Sequence, residues 1–121
     1  MEFETLSVWA DEELQSLIKV LPTDIQEAAQ KVAISFEEKP GDGVYDDQLD
    51  GDELGLFEGP AVGEEGDTDE LPRIRLFVVN LWEWVGEEEQ DFRDEVGTTF
   101  LHELGHYLGW DEEEVAERGL E

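Results

Sequence analysis

The sequence contains no cysteine, which excludes disulfides and thiolate metal sites. Its single methionine is Met1, so no methionine-bearing turn can lie further along the chain. Lysine and arginine number only seven in 121 residues, against 35 aspartates and glutamates, and the formal net charge is −28. Phosphate backbones are gripped by clusters of Lys and Arg. A chain so poor in both is not built to bind nucleic acid, and anionic membrane surfaces repel it. No apolar run approaches the roughly 18 residues of a membrane span. The start, Met1-Glu2-Phe3-Glu4, has neither the basic stretch nor the apolar stretch of a secretory leader. These absences set the expectation of a cytoplasmic protein with no membrane contact.

The acidity has not displaced the core. Hydrophobic residues make up 39% of the chain, and counting the twelve glycines while leaving out the two tyrosines gives about 47%, an ordinary globular share, so disorder of the whole is not expected. The length suits one domain over residues 1–121 with a real core. Three causes fit the charge. Salt adaptation or lineage bias ranks first, ahead of attraction of basic substrates and mimicry of an acidic polymer.

The chain has only two histidines, and both fall in His102-Glu103-Leu104-Gly105-His106. The run reads H-E-x-x-H and continues through Gly109 to Glu112 as H-E-x-x-H-x-x-G-x-x-E. Residues four apart share a helix face, so both imidazoles can meet one zinc at about 2.0–2.1 Å each. Glu103 projects roughly 100° away around the helix and reaches toward a zinc-activated water. Its expected role is general base, then proton donor to the leaving amine. Gly109 suits a helix end in the left-handed conformation, after which the chain reverses. Glu112 then holds the place that supplies the third ligand in longer patterns of this kind, with Asp111 as the fallback. The expected metal set is His102, His106 and Glu112 around Zn2+, with Glu103 catalytic. Glu95 and Thr99 lie on the same polar stripe and are candidates for orienting the histidines. A solvated polar face accounts for them equally well.

The remaining pattern predicts a helix over Trp9–Leu21, a second from Thr23 or Asp24 to about Lys31, and a strand over Val32–Phe36. A short strand follows at Leu54–Phe57 and the strongest strand at Arg73–Leu81. Trp82-Glu83-Trp84 either continues that strand or turns away from it. The long helix is expected over Glu87–Leu108, with a last short helix over Glu112–Arg118. Two acidic loops, Pro40–Glu53 and Ala61–Pro72, separate these elements. Asp46, Gln48, Asp50 and Gly51 imitate the front of a calcium loop, but its twelfth position is Phe57, where a bidentate Glu is required.

With these segments in place, the chain resembles the small bacterial zincin-like metallopeptidases with a matrix-metalloprotease-like domain. The likeness runs through Leu21-Pro22, Val32-Ala33-Ile34, Leu54-Gly55-Leu56-Phe57-Glu58-Gly59 and Leu71-Pro72-Arg73-Ile74-Arg75-Leu76-Phe77. It is most specific in His102 to Gly109 followed by Asp111-Glu112-Glu113. The resemblance implies a minimal α+β zincin-like fold: N-terminal helices, a short mixed sheet, an active-site helix and a short C-terminal helix. It also implies zinc held by the histidines and an acidic residue after the glycine. Family members often carry Asp where this chain has Glu112, and the acidity of the two loops exceeds the family norm. Two functions follow as expectations. One is zinc-dependent peptide hydrolysis, acting on a peptide or protein substrate that the charge biases toward basic, with Arg73–Leu81 pairing an extended substrate. The alternative is a non-catalytic zinc-stabilised binding module for a basic partner. An acidic decoy with a fortuitous motif ranks behind both.

The charge generates a first prediction. Repulsion among 35 acidic groups, offset by seven basic ones, is screened by salt. The melting temperature should rise as monovalent salt goes from about 0.1 M to about 1 M, where the Debye length falls from about 10 Å to about 3 Å. A flat melting temperature over that range would mean that the carboxylates are too dispersed to matter.

Overall fold

Leu6, Ala10 and Leu14 recur at helical spacing and are buried, and they set the inner face of the first helix. A computed structural model describes residues 2–39, 53–59 and 71–109. In it α1 spans Phe3–Lys19, starting well before the expected Trp9. Glu2 stands at its N-cap without a side-chain capping bond, so the usual start signal is missing from the sequence. Leu21-Pro22 separates it from α2, Thr23–Gln30, which buries Ile25 and Ala29. The strands β1, Ala33–Glu37, and β2, Gly55–Glu58, each lie one residue beyond the expected span.

The third strand corrects the sequence reading more substantially. It ends at Phe77, giving β3 over Arg73–Phe77, and the chain then forms the short helix α3 over Val78–Trp84. The run from Leu76 to Trp82 is almost wholly apolar, and in such a run periodicity does not separate strand from helix. Tertiary packing decides it. Val78, Leu81 and Trp82 are buried at helical spacing, while the Asn80 side chain donates to the Glu53 carbonyl at 2.8 Å. A turn with Gly86 and Glu87 both at positive φ leads into α4, Glu89–Tyr107. The start of α4 is set by Glu88, whose carboxylate accepts from the Asp91 backbone N–H at 2.7 Å. The expected helix over Glu112–Arg118 and the calcium-loop residues 46–51 lie outside the described residues.

The sheet has strand order β1-β3-β2. β1 runs parallel to β3 with Ile34 opposite Ile74, and β2 runs antiparallel to it with Phe57 opposite Ile74. Ile74 and Leu76 turn one face of β3 into the core with Phe92, Val96, Phe100 and Leu104 of α4. Trp9, Trp82 and Phe92 form a ring cluster joining α1, α3 and α4, with centroids 5.8–6.2 Å apart. Arg75, only 6% exposed, ties both edge strands to the centre. Its guanidinium holds Glu37 of β1 with two bonds of 2.8 Å and reaches Glu58 of β2 at 3.4 Å. The Arg75 hydrogen bonds hold the Glu37 carboxyl below its ordinary pKa, with Ser35 assisting against the opposing effect of burial.

One contact fixes the seat of β2. A Cβ at Gly55 would lie 2.7 Å from Thr99 Cγ2 and 3.2 Å from Leu76 Cδ2. Thr99 is a buried, β-branched residue with little room to yield. The strand therefore approaches α4 as closely as it does only because residue 55 lacks a side chain. Gly55→Ala should destabilise the chain by about 1–3 kcal/mol through overpacking. Adding Thr99→Ser, which removes the offending methyl, should recover much of the loss. Chemical denaturation of the single and double variants checks this, and strictly additive effects would refute the contact as the cause.

Candidate metal centre

Helix α4 carries its apolar residues toward the core and leaves a narrower stripe for chemistry. Phe92, Val96, Phe100 and Leu104 are fully buried and Tyr107 nearly so, as the sequence pattern requires. His102 and Glu103 are half-buried and His106 is exposed. Thr99, expected on the open stripe with them, is instead buried against Gly55. The helix closes at Leu108, and Gly109 follows at φ +79°, its N–H donating to the His106 carbonyl at 3.0 Å. That is the left-handed stop anticipated for this glycine. Asp111 and Glu112 lie outside the described residues.

The two imidazoles stand edge to face with centroids 4.8 Å apart. Among the described residues His102, Glu103 and His106 can each offer one ligand atom, and these atoms lie within 4.8 Å of one another. Nitrogens sharing a tetrahedral zinc sit roughly 3.3 Å apart, given bonds of about 2.0–2.1 Å. Small side-chain rotations cover the difference, so these residues fit a zinc ion. The donor set, imidazole nitrogen with carboxylate oxygen, is also one that zinc accepts.

Glu103 is held from the sheet side. Phe77 N–H donates to the Leu54 carbonyl at 3.0 Å, which fixes the phase of the β2–β3 ladder. The alternation of an antiparallel pair then points the backbone groups of Gly55 and Phe57 away from β3. The Phe57 backbone makes a hydrogen bond with the Glu103 carboxylate. Burial nevertheless pushes the Glu103 carboxyl above its ordinary pKa, outweighing the opposite pull of His106, His102 and Phe57. The Phe57 ring meets Tyr107 at 5.8 Å and so pins the same strand one helical turn further on.

Beside the histidines, a cleft of about 320 Å³ runs back along α4. It is lined by Glu53, Leu54 and Gly55 on one side and by Glu95, Thr98, Thr99, His102 and Glu103 on the other. Burial raises the Glu95 carboxyl above its ordinary pKa. The sequence pattern singled out the α4 side of this arrangement. It did not assign the β2 side to the site, because backbone groups leave no mark in a sequence. The only signal was a glycine in an otherwise apolar strand, which often marks a close backbone approach.

The sheet order overturns one expectation. Arg73–Leu81 cannot receive an extended substrate, because its strand portion is paired on both sides, by β1 and by β2. Among the described residues the strand with an unpaired edge next to the histidines is β2.

No helix among the described residues is long and apolar enough to cross a membrane. A search of curated proteins finds no match. A family model for zincin-like metallopeptidases matches residues 29–120. That span takes in all three strands, α3, α4 and the histidine motif. The described helices and mixed sheet agree with a minimal α+β zincin-like fold, and the chain belongs to the zincin-like metallopeptidase family.

Proposed function

We propose that this chain hydrolyses peptide bonds with a zinc ion held by His102, His106 and Glu112, and with Glu103 as general base. The observation that carries the reading is the meeting of three groups: two imidazoles one helical turn apart, a carboxylate between them, and the outward edge of β2. Zinc in such a site acidifies water and polarises a carbonyl. Glu103 takes the proton from the attacking water on a carboxylate oxygen and returns it to the departing amine. Gly55 and the Phe57 carbonyl offer backbone partners to an extended peptide added along the β2 edge. That edge replaces the Arg73–Leu81 segment as the proposed substrate strand.

Glu112 stands third after Gly109, the place that supplies the third ligand in longer patterns of this kind. Zinc-competition titration tests the ligand set. Alanine at His102 or His106 should abolish tight zinc binding. Glu112→Ala should weaken it by more than about tenfold, and Asp111→Ala much less. The reverse ranking of the last two variants would move the role to Asp111. Zinc-supplemented protein that carries no metal in native mass spectrometry would refute the reading altogether.

Glu103→Gln separates the enzyme from a metal-stabilised binding module. The variant should retain zinc and lose peptide cleavage by about a hundredfold or more, the usual scale for a general base. Cleavage of a diverse peptide library by the zinc-loaded chain is the measurement. A variant that loses zinc as completely as His102→Ala would make Glu103 a ligand. A wild-type chain that binds zinc and cleaves nothing would favour the binding module.

A further inference from the structure

We propose that the cleft beside His102 is a specificity pocket for a lysine or arginine side chain of the substrate, with Glu95 receiving the cation. This rests on the peptidase reading, and it adds which peptides the site selects. The cleft shares His102 and Glu103 with the candidate centre, so whatever enters it lies next to the reacting bond. Apart from Glu53, which also lines it, the residues between Glu95 and the motif are short or apolar: Leu54, Gly55, Thr98 and Thr99. Glu95 lies seven residues before His102, two helical turns or about 10 Å back along the axis. A side chain that fills this space needs an apolar stem and a charged head, which is the form of Lys and Arg.

Among the described residues, no cation pairs with the carboxylate at that end. None of the ion pairs among the described residues involves Glu95, and burial is the one influence on its proton affinity. Lys39, Arg73, Arg75 and Arg93 are committed to Glu83, Glu58, Glu37 and the pair Glu12 and Glu89. An incoming cation would therefore meet a half-buried, uncompensated carboxylate, where a charge pair is worth more than at an open surface. The direction of β2 sets which substrate residue is read. Gly55 lies against Thr99 and Phe57 against Glu103 and Tyr107, so β2 and α4 run in the same sense. A peptide paired antiparallel to β2 then carries its C-terminal side toward Leu54. The basic residue belongs immediately C-terminal to the cleaved bond.

Binding and cleavage are measured on one peptide series, alanine-rich and carrying a single central lysine, norleucine or glutamate. For binding, the zinc-loaded full-length Glu103→Gln chain is used so that the peptides survive. The lysine peptide should bind about fivefold or more tighter than the norleucine peptide, the order of a partly screened ion pair. Adding Glu95→Gln should bring that ratio to near one, and Glu95→Lys should turn the preference toward glutamate. Asp94→Asn, an exposed neighbour with the same change of charge, controls for the general attraction of so acidic a chain. A ratio near one in the starting chain, or an equal drop with Asp94→Asn and Glu95→Gln, overturns the pocket. Cleavage by the wild-type chain should fall on the N-terminal side of the lysine. Cleavage with no such preference also overturns the pocket while leaving the peptidase intact. A Glu95-dependent binding preference without any cleavage upholds the pocket and refutes the peptidase.

Discussion

The closeness of β2 to α4 is the constraint on which the site depends. With any side chain at residue 55 the strand would have to lift away from Thr99. The hydrogen bond between the Phe57 backbone and Glu103 and the contact of the Phe57 and Tyr107 rings both need that seat. So does the cleft, whose opposite walls come from these two elements. The histidines alone need only a helix. The strand adds a positioned carboxylate, an unpaired edge and a bounded space to the pair of imidazoles.

The sheet that carries β2 is itself held against considerable repulsion. Few cations are available, and Lys39, Arg73, Arg75 and Arg93 each form an ion pair that links two elements or an element and its flank. Arg75 grips strands on both of its sides, and its guanidinium lies 5.1 Å over the Phe77 ring. Arg93 lies over Trp9 and bonds Glu12 and Glu89, joining α1 to the start of α4. Exposed pairs contribute little each. A buried guanidinium with several partners is different, since removing it strands carboxylates that have lost part of their hydration. All three described arginines thus sit at joints between elements, while the cleft beside the histidines is lined by Glu53, Glu95 and Glu103.

Much of this was legible in the sequence, for reasons that particular residues make clear. The i, i+4 histidines, the buried face from Phe92 to Leu104 and the stop at Gly109 are local signals, and each was readable. Arg73–Phe77 was readable as strand up to the point where both faces become buried. Beyond Phe77 the pattern loses its period, and helix α3 is decided by Asn80 reaching the Glu53 carbonyl and by Trp82 packing on Trp9 and Phe92. The start of α1 was missed because Glu2 gives no capping bond. The order of strands was not legible at all. It depends on which edges meet in space, and it transferred the proposed substrate edge from the strongest strand to the short one.

Glu103 sits where burial works against its charge. A half-buried carboxylate whose proton affinity burial has raised makes the ionised fold less stable at neutral pH than a solvated carboxylate would. Stability contributed by such a group is present when it is protonated and lost as pH rises through its folded pKa. The Phe57 backbone and the two imidazoles offset that cost only in part. For packing alone an apolar side chain would serve better beside Phe57, and for solubility this chain has no need of another acid. Glu103 thus opposes stability where it stands, between two potential metal ligands and at the only described strand edge next to them, and the proposed proton transfer gives such a placement a use.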